Sequence, residues 1–246
     1  MILGTRMSAV FILSLIANVV LLSFFGYKYL KRSPPKQWED YTLFDSYWQD
    51  RVAFFGILNK LHGNDVLLVG DSMFDRLPIE ELWPDLSVAN RGIGYDNSRA
   101  LLTRLEKTVL DGKPRKVLLF VGGNDISKRN DLEMIVQEVV QIIKTLVAHK
   151  IEVCFVSLLP RGRKYSPSRR SLELINKDVR SFNHAVKQKC RELGVQFADV
   201  TEPFTEKGNY LDSHYTTDAI HLNAQGTVLL AGLLKPYLEE NILPVK

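Results

Sequence analysis

The chain has 246 residues, 46% of them hydrophobic and 24% charged, enough for one well-filled α/β core and too ordinary in composition for a disordered or fibrous protein. Of its formal charge of +4, residues 1–40 carry most, with five Lys/Arg set against Glu39 and Asp40. The nearly neutral remainder lacks the basic face that non-specific nucleic-acid binding requires, so no nucleic-acid partner is expected.

Met7 to Tyr27 holds no charged residue. In helical form such a run, at ~1.5 Å per residue, spans the ~30 Å hydrocarbon core, so residues 1–27 read as a transmembrane anchor. Asn18 is its one strongly polar interior residue, suited to a helix–helix contact. A cleaved signal peptide fits less well, because Leu22 to Lys28 offers no small-x-small site, and no cysteine closes the run for lipid attachment. Residues 28–44 follow as a basic, proline-stiffened linker, with Lys28, Lys31, Arg32 and Lys36 suited to lipid headgroups. Those cations outnumber Arg6 and the terminal amine on the other flank, which favours a single-pass protein with its folded domain on the cytoplasmic face. Cys154 and Cys190 have no partner at metal-ligand spacing and read as buried free thiols, compatible with a reducing compartment.

Residues 45–246 read as the one folded domain. Asp45 to Leu61 places Trp48, Val52, Phe55 and Leu58 on one side of an amphipathic helix. Apolar runs suited to buried parallel strands then occur at Val66 to Val69, Ser87 to Asn90, Val117 to Val121, Ile151 to Leu158 and Val195 to Ala198. Helical periodicity fills Asn97 to Leu110, Leu132 to Lys150, Leu172 to Leu193 and Asn223 to Glu239. The alternation predicts an α/β fold with a doubly wound parallel sheet, whose ligand crevice lies beyond the carboxyl ends of the strands. Three polar segments follow three successive strands: Gly70-Asp71-Ser72, Arg91 to Asn97, and Gly122-Gly123-Asn124-Asp125.

Ser72 is the candidate nucleophile, but a serine hydroxyl needs a base to take its proton. Of five histidines, only His221 follows a carboxylate, Asp218, by three positions in a loop that runs into a helix, where a turn brings both side chains to one side. His214, two residues from Asp212, is a lesser candidate for the same pairing. Asn124, after two glycines, offers a side-chain amide to a developing oxyanion, and a simple Gly-Gly-Asn-Asp turn accounts for it equally. Asn223 is the expected N-cap of the last helix.

Four blocks, Val69-Gly-Asp-Ser-Met73, Asn90-Arg-Gly-Ile-Gly-Tyr-Asp96, Val121-Gly-Gly-Asn-Asp125 and Asp218-Ala-Ile-His-Leu-Asn223, occur in the order found in the SGNH (GDSL-type) hydrolases, which the chain resembles over most of its soluble part. The resemblance implies a three-layer, flavodoxin-like fold and a carboxylic ester hydrolase needing neither cofactor nor metal. It further implies a Ser72–His221–Asp218 triad and an oxyanion hole drawn from Ser72, Gly94 or Tyr95, and Asn124. The family usually has glycine directly before the second block's aspartate, where this chain has Tyr95, so the backbone donor there is either Gly94 or Tyr95. Asp71, Tyr95, Arg161 and Arg163 are the candidate substrate contacts. The last two belong to Arg161 to Arg170, five basic residues without an acidic one, read as a mobile loop able to meet an anionic substrate or as an ordinary solvated face.

Competing chemistries fit less well. An α/β-hydrolase elbow needs G-x-S-x-G, and Phe74 stands at the last position. A binuclear metallophosphatase lacks its further ligands, and Gly92-x-Gly94 lacks the third glycine of a dinucleotide loop. The expected activity is therefore release of a short acyl group, such as acetyl, from a glycan or lipid ester. Acyl transfer by the same serine, or a non-catalytic membrane-anchored binding module, are the alternatives.

Overall fold

The computed structural model describes residues 46–239 except 62, 64, 129–130, 168–169 and 208. The anchor and linker expected within residues 1–44 lie outside the described residues. Among the described residues no helix is long and apolar enough to cross a membrane.

Helix α1 (Ser46–Leu61) buries Trp48 and Phe55, with Val52 and Leu58 packed beside them against Ile93 and Ala100. The strands that follow are β1 (Val66–Gly70), β2 (Val88–Gly92), β3 (Lys116–Phe120), β4 (Glu152–Val156) and β5 (Gln196–Ala198). They form one parallel sheet in the order β2-β1-β3-β4-β5. That order is flavodoxin-like, and its direction reverses between β1 and β3, where the sheet opens a crevice at the carboxyl ends. Leu68, Val69, Leu118 and Leu119 of the two central strands are wholly buried, each such side chain contributing roughly 1.5–3 kcal/mol. This burial on both faces explains their continuous apolar runs.

The long connections are α4 (Ser98–Thr108) between β2 and β3, α6 (Leu132–Ala148) between β3 and β4, and α7 (Leu172–Glu192) between β4 and β5. Helices α1, α4, α6 and α7 pack side by side in that order. The β1–β2 crossover, through α2 (Ser72–Asp75) and α3 (Ile79–Leu82), runs the opposite way along the sheet, so right-handed connection places it on the other face. Helix α5 (Gly123–Lys128) follows β3, a β6–β7 hairpin (Thr205–Glu206, Tyr210–Leu211) follows β5, and α8 (Ala224–Glu239) closes the chain, sinking Leu230, Leu234 and Leu238 into the core. The expected strands and long helices occur with ends shifted by one or two residues. The one-turn helices α2, α3 and α5 and the hairpin are additions, too short to show a hydrophobic period.

Candidate active site

Strand β1 ends at Gly70, and Asp71 caps α2, its carboxylate accepting the Met73 N–H at 3.0 Å. Ser72 is thus the first helical residue, and its own N–H has no acceptor within the helix. Asn90 locks this turn to the end of β2. Its amide donates to the Phe74 carbonyl at 2.5 Å, and its oxygen accepts the Gly92 N–H at 2.8 Å. Asp71 is buried, and burial pushes its carboxyl up to about 7. The Met73 N–H and the nearby Arg161 charge offset only part of that, and Asp96 and Asp125 add to it.

Ser72 Oγ lies 2.9 Å from His221 Nε2, and His221 Nδ1 lies 2.6 Å from Asp218 Oδ2. The second Asp218 oxygen accepts the backbone N–H groups of Ile220 at 2.9 Å and His221 at 2.7 Å. A carboxylate so placed fixes the Nδ1–H tautomer and leaves Nε2 to accept the serine proton. Burial alone would raise the Asp218 carboxyl. The His221 ring and the two backbone donors outweigh it and hold the group at about 2. The turn is anchored behind by Thr216 Oγ1, which donates to the His221 carbonyl at 2.7 Å, and by Asn223, which caps α8 through the Gly226 N–H at 3.0 Å. His214 stands apart, exposed on a 3₁₀ turn, where Asp212 accepts its backbone N–H and not a ring nitrogen.

Gly94 and Tyr95, the two candidate backbone donors, differ in what their N–H groups meet. Gly94 N–H is already committed to Asp75 Oδ2 at 3.2 Å. Tyr95 N–H has no acceptor among the described residues, and Tyr95 adopts φ +65°, the left-handed conformation in which glycine is at ease. For tyrosine it costs ~1–2 kcal/mol. A left-handed backbone thus stands where the resemblance has glycine, and Tyr95 is 72% exposed. Gly122, at φ +121°, makes the sharp exit from β3 that carries Asn124 into the crevice. One Asn124 amide hydrogen is donated to the Asp96 carbonyl at 2.8 Å, and the other is free to meet a ligand oxygen.

Asp71, Arg161 and Arg163 are each engaged by other groups of the fold. Arg161 is buried, donates to the Gly123 carbonyl at 3.0 Å, and its backbone is clamped by Asn176, which accepts its N–H at 2.7 Å and donates to its carbonyl at 2.9 Å. Arg163 lies over the Tyr210 ring and bonds Glu206 at 2.5 Å and the Lys207 carbonyl at 2.6 Å, tying the basic segment to the hairpin. Arg170 likewise donates to the Ile126 carbonyl at 2.7 Å and pairs with Asp178. Three cations of the basic run, Arg161, Arg163 and Arg170, are thus tied to the fold, a strap where the sequence allowed either a mobile loop or a solvated face. Asp75 was not singled out in the sequence, and neither were the contacts through which Asp96 and Trp48 shape the site, since pairings between residues far apart in the chain carry no periodic signal. Among the described residues no three His, Cys, Asp or Glu side chains gather to hold a metal ion. Cys154 and Cys190 are buried thiols outside any disulfide, and burial pushes the Cys190 thiol up to about 12.

A serine, a histidine and two separate loop donors on one crevice is an arrangement with known counterparts. Residues 69–229 match the GDSL-like lipase/acylhydrolase family, a span from the first block to beyond the last. The chain belongs to that family. It is accordingly an SGNH-type carboxylic ester hydrolase. Over 204 residues it is 29% identical to platelet-activating factor acetylhydrolase IB subunit alpha2 of Rattus norvegicus, covering 79% of this chain and 83% of the relative. A Streptococcus pneumonia structure described as a platelet activating factor superposes with a TM-score of 0.72 at 26% identity, over 81% of this chain and 95% of the other. An acetylxylan esterase from Geobacillus stearothermophilus shares the fold with a TM-score of 0.58 at 18% identity, over 72% and 94% of the two chains.

Proposed function

We propose that the protein is a membrane-anchored serine esterase that removes a short acyl group, acetyl above all, from a glycan or lipid ester. The observation that carries the reading is the unbroken row from Ser72 Oγ through His221 to Asp218, with hydrogen bonds of 2.9 and 2.6 Å. Ser72 Oγ attacks the ester carbonyl as its proton passes to His221 Nε2, and Asp218, ionised throughout, stabilises the imidazolium. Oxygen charge in the tetrahedral intermediate meets the N–H groups of Ser72 and Tyr95 and the amide of Asn124, each worth ~100- to 1000-fold in rate. Collapse breaks the ester bond, and His221 returns its proton to the leaving alcohol. Water, deprotonated by His221, then attacks the acyl-serine, releasing the acid and restoring the serine.

Acyl transfer to a sugar hydroxyl would follow the same first half. The Asp218 side chain is 45% exposed beside His221, which gives water ready access to the acyl-enzyme and favours hydrolysis. The same openness, with chain atoms committed close around Ser72, suits a short acyl group on a large alcohol. Acetyl esters are also what the names of the rat acetylhydrolase and the acetylxylan esterase point to. In this reading Tyr95, exposed beside the donor, packs against the alcohol portion, and the uncharged run at 7–27 tethers the domain at a membrane, with the basic linker favouring the cytoplasmic face. Nitrophenyl esters of increasing acyl length test it: turnover should peak at acetyl or propionyl, and a maximum at long chains, or turnover that requires an added sugar acceptor, would overturn it.

A further inference from the structure

Tyr95 presents its N–H only while it holds a conformation that costs a non-glycine residue free energy. Such strain persists where the surroundings over-determine it. The residues on either side are each held by α1. Before Tyr95, the Gly94 N–H donates to Asp75 Oδ2, and that same oxygen accepts the Tyr47 hydroxyl at 2.8 Å while the other takes Arg51 Nη2 at 3.3 Å. After Tyr95, the wholly buried Asp96 carboxylate accepts Trp48 Nε1 at 3.1 Å and Arg104 Nε at 2.8 Å. The carbonyl of that same Asp96 receives the Asn124 amide. Arg104 also donates to the Gly70 carbonyl at 3.2 Å, two residues before Ser72. The helix thus grips the loop through two carboxylates: Asp75, which accepts the N–H of the residue before Tyr95, and Asp96, which follows Tyr95 and whose carbonyl receives the Asn124 amide.

We propose that α1 is a positioning element for the oxyanion hole, with Trp48 and Tyr47 as positioning residues that hold the Tyr95 N–H and the Asn124 amide on target. The proposal rests on the serine-esterase reading of Ser72. A helix that merely covered the core would need Trp48 and Phe55 for their apolar surface alone. Here the indole N–H and the phenol hydroxyl, which contribute nothing to that surface, are spent on the two carboxylates that flank Tyr95. A misplacement of ~1 Å at such a donor can cost ~100-fold in rate.

Tyr47→Phe and Trp48→Phe are made in the full chain; the first deletes only the hydroxyl, and the second keeps an aromatic side chain while removing the indole N–H together with part of the ring. Each should lower kcat on nitrophenyl acetate about 10-fold with KM little changed, less than the ~100-fold or more of deleting an oxyanion donor outright. Trp48→Phe should also cost clearly less in an Asn124→Ala background, because one of the donors it orients is already gone; a merely structural role would give the same factor in both. Unchanged kcat in both single variants, or equal factors for Trp48→Phe in the two backgrounds, would overturn the proposal. Ser72→Ala, run alongside, separates the two claims: if it retains activity, the esterase reading itself has failed, and if it is inactive while both α1 variants keep full kcat, only the brace has.

Discussion

Asn124 donates its side-chain amide to the carbonyl oxygen of Asp96 at 2.8 Å, so the segments that follow β2 and β3 are joined to each other. That bond fixes the amide plane and aims the second hydrogen, which is the one a tetrahedral intermediate would meet. Asn124→Ala should therefore lower kcat by ~100- to 1000-fold while KM changes far less, because the contact strengthens as charge develops on oxygen. Steady-state kinetics on nitrophenyl acetate check this, and an effect confined to KM would count against the role.

Tyr95 at φ +65° carries a second expectation. Glycine there relieves the left-handed strain at the expense of a more flexible unfolded chain, two effects of similar size, so Tyr95→Gly should leave thermal stability close to unchanged. Tyr95→Val, β-branched at the same φ, should destabilise by ~1–2 kcal/mol or more. Melting curves of the two variants test it, and equal stability of Val and Gly would mean that the loop does not hold this conformation.

The expected strands and long helices were legible because burial imposes a period: runs such as Val66 to Val69 and Val117 to Val121 are apolar throughout since both faces of the sheet are covered. Ser72 and Asn124 stood out for a different reason, as polar residues just after strands, and Asp218 and His221 by their three-residue spacing in a loop that runs into a helix. What stayed hidden was the support. Asp75, Asp96 and Trp48 act through contacts 19 to 48 residues apart in the chain, and no local spacing announces such pairs. The partners of the basic run from Arg161 stayed hidden for the same reason, since composition gives charge but not the Glu206 and Asp178 that pair with it.

Asp71 makes stability depend on pH. Its carboxyl is ordinary in the unfolded chain and raised to about 7 in the fold, chiefly by burial, so the folded state binds the extra proton. Stability from this group is fully present below the unfolded value near 4 and is lost as pH rises through about 7. Asp71→Asn, which retains a capping oxygen for Met73 N–H, should flatten the decline between pH 5 and 8. Urea midpoints across that range measure it, and a wild-type midpoint that rises with pH while the variant's does not would contradict the sign.

The orientation of the domain is open to a direct reading. With Lys28, Lys31, Arg32 and Lys36 on the C-terminal flank of the apolar run, a GFP fused after Lys246 should fluoresce and an alkaline phosphatase fused there should be inactive. The reverse pattern would place the domain outside and leave the charge bias without effect.

The central claim is that Ser72 is an activated nucleophile, its proton drawn by His221 across 2.9 Å. A fluorophosphonate probe, followed by mass mapping of the labelled peptide, measures this most directly. The account predicts a single adduct on Ser72, lost in Ser72→Ala and slowed by several orders of magnitude in His221→Ala, with ester hydrolysis falling by up to ~10⁶-fold in both. Labelling at another residue, or hydrolysis that survives in folded Ser72→Ala, would contradict it.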